Sequence, residues 1–251
     1  MSPLLIIAEY TIKDCLHHRI ISFALAIFCG IHGVAHVIGQ SLIGSYHKIY
    51  LDSALFAYQL FSFSFIILFA IPFLKRQQNY NTFAFFLTKN ISRATFIISS
   101  VLGFFIIFIM SAIIFYGSSV LLGFYLTNQW FLYLLPAYIL IALEGIFISI
   151  FGFLYSLLFS STLAYFATSA TYIVCYSIQT WYLAISKTSL SMFGSMLYYF
   201  LPDLQLLDIK SIIIYQLPIP ILPLFFGILY LLVWCMFVLL LTTWVFEKHY
   251  L

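Results

Sequence analysis

Glu144 is the carboxylate that lies deep inside an apolar run of this chain, between Leu143 and Gly145. A charge at mid-membrane costs roughly 2.5–3.5 kcal/mol on insertion scales, so such a residue faces a bundle interior, a partner or a water-filled cavity. Two chemistries follow: Glu144 lines a translocation path or holds a proton, or it is a neutral carboxyl hydrogen-bonded to a neighbouring helix. His32 and His36 share one helical face at i and i+4, a spacing that can hold a metal ion. Two histidines on one helix cannot take opposite sides of one haem, so packed, neutral imidazoles are the simpler expectation. Ala164, Thr168, Thr171 and Cys175 form a stripe of small residues that suits close helix packing and, in a homodimer, lining of a path.

A different chemistry is suggested by the stretch from Lys75 to Arg93. It carries Lys75, Arg76, Lys89 and Arg93 and no acid, yet it is built around Tyr80, Phe83, Phe85 and Phe86. A plain topological anchor explains the charges, but the aromatics suggest a surface that another protein grips. Asn81 or Thr82 can cap a short helix there.

The elements that position these residues are set by composition. The chain is 65% hydrophobic and 7% charged, against about 25% charged in soluble domains. Continuous apolar runs of about 20 residues suit membrane-crossing helices, whereas a β-barrel needs alternating segments. The expected fold is an all-α polytopic membrane protein in one domain over residues 1–251. Six spans are predicted at 20–40, 53–74, 95–123, 131–157, 163–185 and 221–246. The third exceeds what a bilayer needs, so it tilts, breaks near Gly117 or Gly123, or projects.

Basic residues orient the spans. With the N-terminus inside, Lys13, Arg19, Lys75, Arg76, Lys89, Arg93 and Lys248 fall on the inner side, and Lys48, Lys187 and Lys210 on the outer. Seven against three favours both termini in the cytoplasm. The first residues lack the basic start of a cleaved signal peptide. Residues 1–19 are expected as an interfacial leader, with Leu5, Ala8, Ile12 and Leu16 on one helical face. The loop at 75–94 is cytoplasmic. The loop at 186–220 is extracytoplasmic, and its apolar part, Ile212 to Leu217, is too short to span and forms a re-entrant or interfacial element. Trp130, Tyr133, Trp181, Tyr182, Tyr198 and Tyr199 suit an aromatic belt.

Four cysteines, Cys15, Cys29, Cys175 and Cys235, contain no C-x-x-C pair and behave as small apolar residues. No phosphate-binding G-x-x-x-x-G-K-[ST] run occurs, nor G-x-S-x-G or H-E-x-x-H. Energy from a nucleotide would therefore come from another subunit.

Leu87-Thr88-Lys89-Asn90-Ile91-Ser92-Arg93, followed by a span with Gly103 inside, resembles the permease subunits of ABC-2 type exporters. Lys89, Ile91, Ser92 and Arg93 match that family's loop after the second span. Asn90 stands where a proline is usual, and Ser99-Ser100 where a Gly-Lys pair often precedes the third span. Leu201-Pro202-Asp203-Leu204 before the last span is similar to another recurring element.

The resemblance implies a permease dimer, of identical or related copies, each gripped by a cytoplasmic ATPase that binds ATP and magnesium. This chain would hold no cofactor and would not be an enzyme by itself. The 75–94 loop would supply a short coupling helix through Phe83, Phe86, Leu87, Lys89 and Arg93, while Glu144, Thr168 and Thr171 would line the path. A bacterial cytoplasmic membrane is the expected location, a lipid or other amphiphile the cargo class, and the partners exclude nucleic acid. The alternatives are a proton-coupled carrier using Glu144, or an intramembrane metal-site protein or enzyme using His32 and His36.

Overall fold

A computed structural model describes residues 3–17, 20–41, 46–79, 92–185, 198 and 201–249. Among them there is helix and no strand, as lipid demands of a backbone that must satisfy its own hydrogen bonds. The long elements are α1 (Pro3–His17), α2 (Ile20–Ser41), α3 (Tyr46–Phe65), α4 (Ile71–Asn79), α5 (Arg93–Thr127), α6 (Leu135–Leu158) and α7 (Ser161–Ile185). A short α8 (Lys210–Ile214) and the last long helix, α9 (Ile221–His249), follow. Among the described residues, four stretches are long and apolar enough to cross a membrane: His47–Gln77, Ala94–Leu126, Leu132–Leu158 and Ile221–Lys248. Helices α2 and α7 occupy the places of the first and fifth expected spans.

The second expected span is longer than its apolar run. It starts at Tyr46 and continues through a π-helical turn, Ile66–Ala70, into α4, so Lys75 to Asn79 are helical rather than loop. Pro72 explains the turn: it has no N–H to give the carbonyl four residues back, and the ladder adjusts just upstream. There the Ile71 N–H donates to the Ile66 carbonyl, five residues away.

Helix α5 is unbroken at Gly117 and Gly123, which leaves tilt or projection of the three alternatives for this span. Its 35 residues extend about 52 Å at 1.5 Å per residue, well beyond a hydrocarbon core of about 30 Å. Ser92 caps its start, with Oγ accepting from the Thr95 N–H at 3.1 Å. Asn128 ends it at φ 55°, a left-handed conformation that asparagine tolerates better than most residues.

Helix α1 packs against α5. The stripe it buries is Ile7, Ala8, Thr11 and Cys15, while Leu5 and Leu16 are exposed, so the expected face is corrected by about one position. The close approach requires Gly103: a Cβ there would lie 2.8 Å from Thr11 Cβ and 3.1 Å from the Ala8 carbonyl. Burial, aided by the Asp14 charge, pushes the Cys15 thiol up to about 12, so it packs as a neutral group. On its other side α1 meets the end of α4. Arg76 pairs with Asp14 at 3.5 Å, and Gln77 Nε2 donates to Tyr10 OH at 3.1 Å.

Helix α6 is the hub and packs against α3, α4, α5, α7 and α9. Tyr138 OH ties it to its neighbours, bonding Ser119 Oγ at 2.7 Å and donating to the Ala54 carbonyl at 3.2 Å. Over residues 201–214 the described part of the stretch before α9 folds onto the bundle. Its 3-10 turn, Leu204–Leu207, packs against α6, α7 and α9, and α8 packs against α3, burying Leu204, Leu207, Ile209 and Ile213.

Candidate functional site

Glu144 sits midway along α6 and is 3% exposed. It reaches that depth because Gly145 lets α3 and α5 close in. A Cβ at Gly145 would collide with Ser62 Oγ and lie 2.6 Å from the Phe108 ring. The carboxyl faces a cavity of about 10 Å³ lined by Gln59, Ser62, Phe63, Ile66, Ile148 and Tyr172, among others. That is room for about one water molecule. Glu144 Oε2 is buried without a hydrogen-bond partner.

A polar chain leads from this carboxyl to one end of the bundle. Gln59 Nε2 on α3 donates to Tyr172 OH on α7 at 2.8 Å. Gln59 Oε1 accepts from the ammonium of Lys210, which also donates to Tyr176 OH at 3.1 Å and lies 5.3 Å from that ring's centroid. Tyr176 OH in turn donates to Asp208 Oδ2, and the other oxygen, Asp208 Oδ1, accepts from the Lys210 backbone N–H at 3.1 Å. Gln205 Nε2 donates to the Tyr176 carbonyl at 2.6 Å and fixes the segment on α7.

Space follows the same route. Glu144, Asp208 and Lys210 line a narrow seam with Ala137, Ile141, Leu207 and Ile209, and this seam has no room for a water. Asp208 and Lys210 also line an outer cavity of about 490 Å³, together with Lys48, Ile49, Asp52, Ser211, Ile214 and Tyr215. The arrangement is a buried carboxyl, a closed polar partition and a wide, charged vestibule. Nearby, Asp203 Oδ1 accepts from the Gln205 N–H at 2.9 Å while Oδ2 is buried without a partner. Burial holds the Asp203 carboxyl above the usual carboxylate range, against the opposing effect of that backbone bond.

The other expected site residues are placed differently. Thr168 is buried, but its hydroxyl donates to the Ala164 carbonyl at 2.8 Å. Thr171 donates to the Ala167 carbonyl at 2.9 Å and pairs with Tyr155 OH of α6 at 2.8 Å. Neither lines the cavities at Glu144, and the stripe of Ala164, Thr168 and Cys175 is a packing face. His32 donates from Nδ1 to the Phe28 carbonyl at 2.9 Å, stacks on Phe28 and meets the edge of Tyr50. The side chain of His36 lies outside the described residues, and among those described no three His, Cys, Asp or Glu converge as a metal site. Phe83, Phe86, Leu87 and Lys89 lie outside the described residues; Arg93 opens α5.

Gln59, Tyr172, Tyr176, Asp208 and Lys210 were not expected as site residues from the sequence. The available signals were an amide inside an apolar run and two tyrosines one helical turn apart in the segment that holds the small-residue stripe. Compared with known proteins, the chain matches no family model and no curated protein.

Proposed function

We propose that the chain is the membrane-spanning permease subunit of an ATP-driven exporter of the ABC-2 type. It would lie in a bacterial cytoplasmic membrane with six spans, α2 and α7 completing the four most apolar ones, and both termini would be cytoplasmic. A dimer of such permeases, identical or related, binds a cytoplasmic ATPase that holds ATP and magnesium. The cargo class is a lipid or other amphiphile.

One observation carries the reading. Helix α1 lies across both flanks of the 80–91 segment, held to the end of α4 by Arg76–Asp14 and Gln77–Tyr10 and to α5 at Gly103. A loop that must receive a push from another protein needs rigid ends, and α1 braces both. The push on Phe83, Phe86, Leu87, Lys89 and Arg93 then reaches α5 and α4 as one unit, and nucleotide on the partner shifts the population of the permease.

The test is purification of the full chain in mild detergent from its native membrane. A stoichiometric P-loop ATPase whose hydrolysis is stimulated by the chain is expected, and Glu144→Gln lowers that stimulation while the complex still assembles. A chain that purifies without such a subunit and drives uptake on its own under a proton gradient overturns the proposal. That result would favour a second reading, a proton-coupled carrier. The observation in its favour is the unpartnered Oε2 of Glu144 at the end of a polar chain.

A further inference from the structure

We propose that Glu144 gives up and regains its proton only through the vestibule at the Lys210 end, with Lys210 as the latch that closes the seam between them. The exchange is a property of the site and does not require that the proton cross the membrane. It deepens the second reading above and rests on it only in taking Glu144 as titratable.

Three independent observations converge. Asp208 and Lys210 each line both the seam and the vestibule, so their side chains form the partition. The partition is shut, because the seam admits no water, whereas the space at Glu144 holds about one and the vestibule about 490 Å³. The latch is held by reversible contacts: Gln59 Oε1 and Tyr176 OH accept from the Lys210 ammonium, and Tyr176 is itself tied to Asp208.

Among the described residues, the titratable and charged groups that face Glu144 are Tyr172 and Tyr176 from α7 and Asp208 and Lys210 from the segment before α9; α3 contributes the neutral Gln59 and Ser62. Lys210 is the cation whose charge reaches the carboxyl. A buried carboxylate without a cation is costly, while a protonated carboxyl among an amide and hydroxyls is not. Release therefore couples two movements. Lys210 leaves Gln59 and turns toward Glu144, which opens the seam. The carboxyl O–H bond breaks, and the proton passes to water entering the seam and then to the Asp208 carboxylate, which sheds it into the vestibule. The carboxylate left behind is paired with the ammonium, which stays protonated throughout. Uptake reverses each step, so charge in the buried site is balanced in both states.

The test follows the C=O stretch of a protonated carboxyl by infrared difference spectroscopy on the full chain, reconstituted in liposomes sorted to one orientation. The expected result is a band that changes with pH, is absent in Glu144→Gln, and responds to pH steps on the Lys210 side alone. Lys210→Met keeps the stem but removes the balancing charge, and the response slows about tenfold or more because the ionised carboxylate loses its cation. Gln59→Leu removes the latch acceptor, and the response quickens. Asp208→Asn serves in place of Lys210→Met should that variant fail to fold, and it also slows the response. A Glu144 band that never changes with pH, a response to steps on the opposite side, or Lys210→Met or Asp208→Asn exchanging at the wild-type rate overturns the proposal.

Discussion

Helices α6 and α9 have nearly the same vocabulary and opposite situations. The more apolar of the two is α9, with a mean hydropathy of 2.8 against 2.2 over the spanning windows. Yet 83% of the α6 window is buried within the protein, compared with 17% of that of α9. In water the more apolar helix would be the buried one. In lipid that ordering fails, because acyl chains solvate leucine as well as another helix does. What draws α6 inward is its small and polar residues, Glu144, Gly145, Ser149, Gly152 and Ser156, all buried. Helix α9 presents Leu222, Phe226, Val233, Met236, Leu240 and Trp244 outward.

Substitutions break or sharpen this contrast in a graded order. The largest loss is expected from Gly145→Leu, whose first added carbon already collides with Ser62 and Phe108. Overpacking costs about 1–3 kcal/mol and sometimes more, so thermal unfolding in detergent should show a marked fall or no folded protein. A wild-type midpoint would mean that α3 and α6 do not approach as described. Tyr138→Phe comes next, removing the hydroxyl shared with Ser119 and the Ala54 carbonyl, at a cost of about 1 kcal/mol in the same assay.

Asp203 tests one place where α9 is covered, since the turn following this residue packs on that helix. Its folded carboxyl binds a proton more tightly than the unfolded one does. Stability from this group is therefore complete below the ordinary carboxylate range and is lost as pH rises through the raised value. Asp203→Asn should flatten that loss in a plot of unfolding midpoint against pH; an unchanged slope would remove Asp203 from the interior. The smallest effect belongs to Val233→Ala and Leu240→Ala on the outward face of α9, within about 0.5 kcal/mol of wild type. A loss of several times that would show a protein partner on this face.

Much of the helical plan was legible in sequence because hydropathy reports the apolar runs directly. The ends were less so: Lys75 and Arg76 read as loop, but a helix continues through them once Asp14 and Tyr10 of α1 give α4 polar partners. The face of α1 was misjudged because Leu5 and Leu16 count as buried on any hydropathy scale, whereas Gly103 accepts the small stripe at Ala8 and Thr11. Glu144 was recognisable as an acid where acids are expensive. Its neighbours were not, for Gln59, Tyr172 and Lys210 are separated by long stretches of chain, and Lys210 reads as an ordinary loop cation until the segment before α9 folds into the bundle.

The π-helical turn at Ile66–Ala70 carries one residue more than a plain α-helix would, and so works as a phase shifter between α3 and α4. Each residue of an α-helix turns the chain by about 100°. If this turn became α-helical with every residue kept, Gln59 would still face Lys210 while Arg76 swung by about that angle from Asp14. The two ends of this long element are keyed to different neighbours, and a one-residue slip in its middle is what allows both keys to fit.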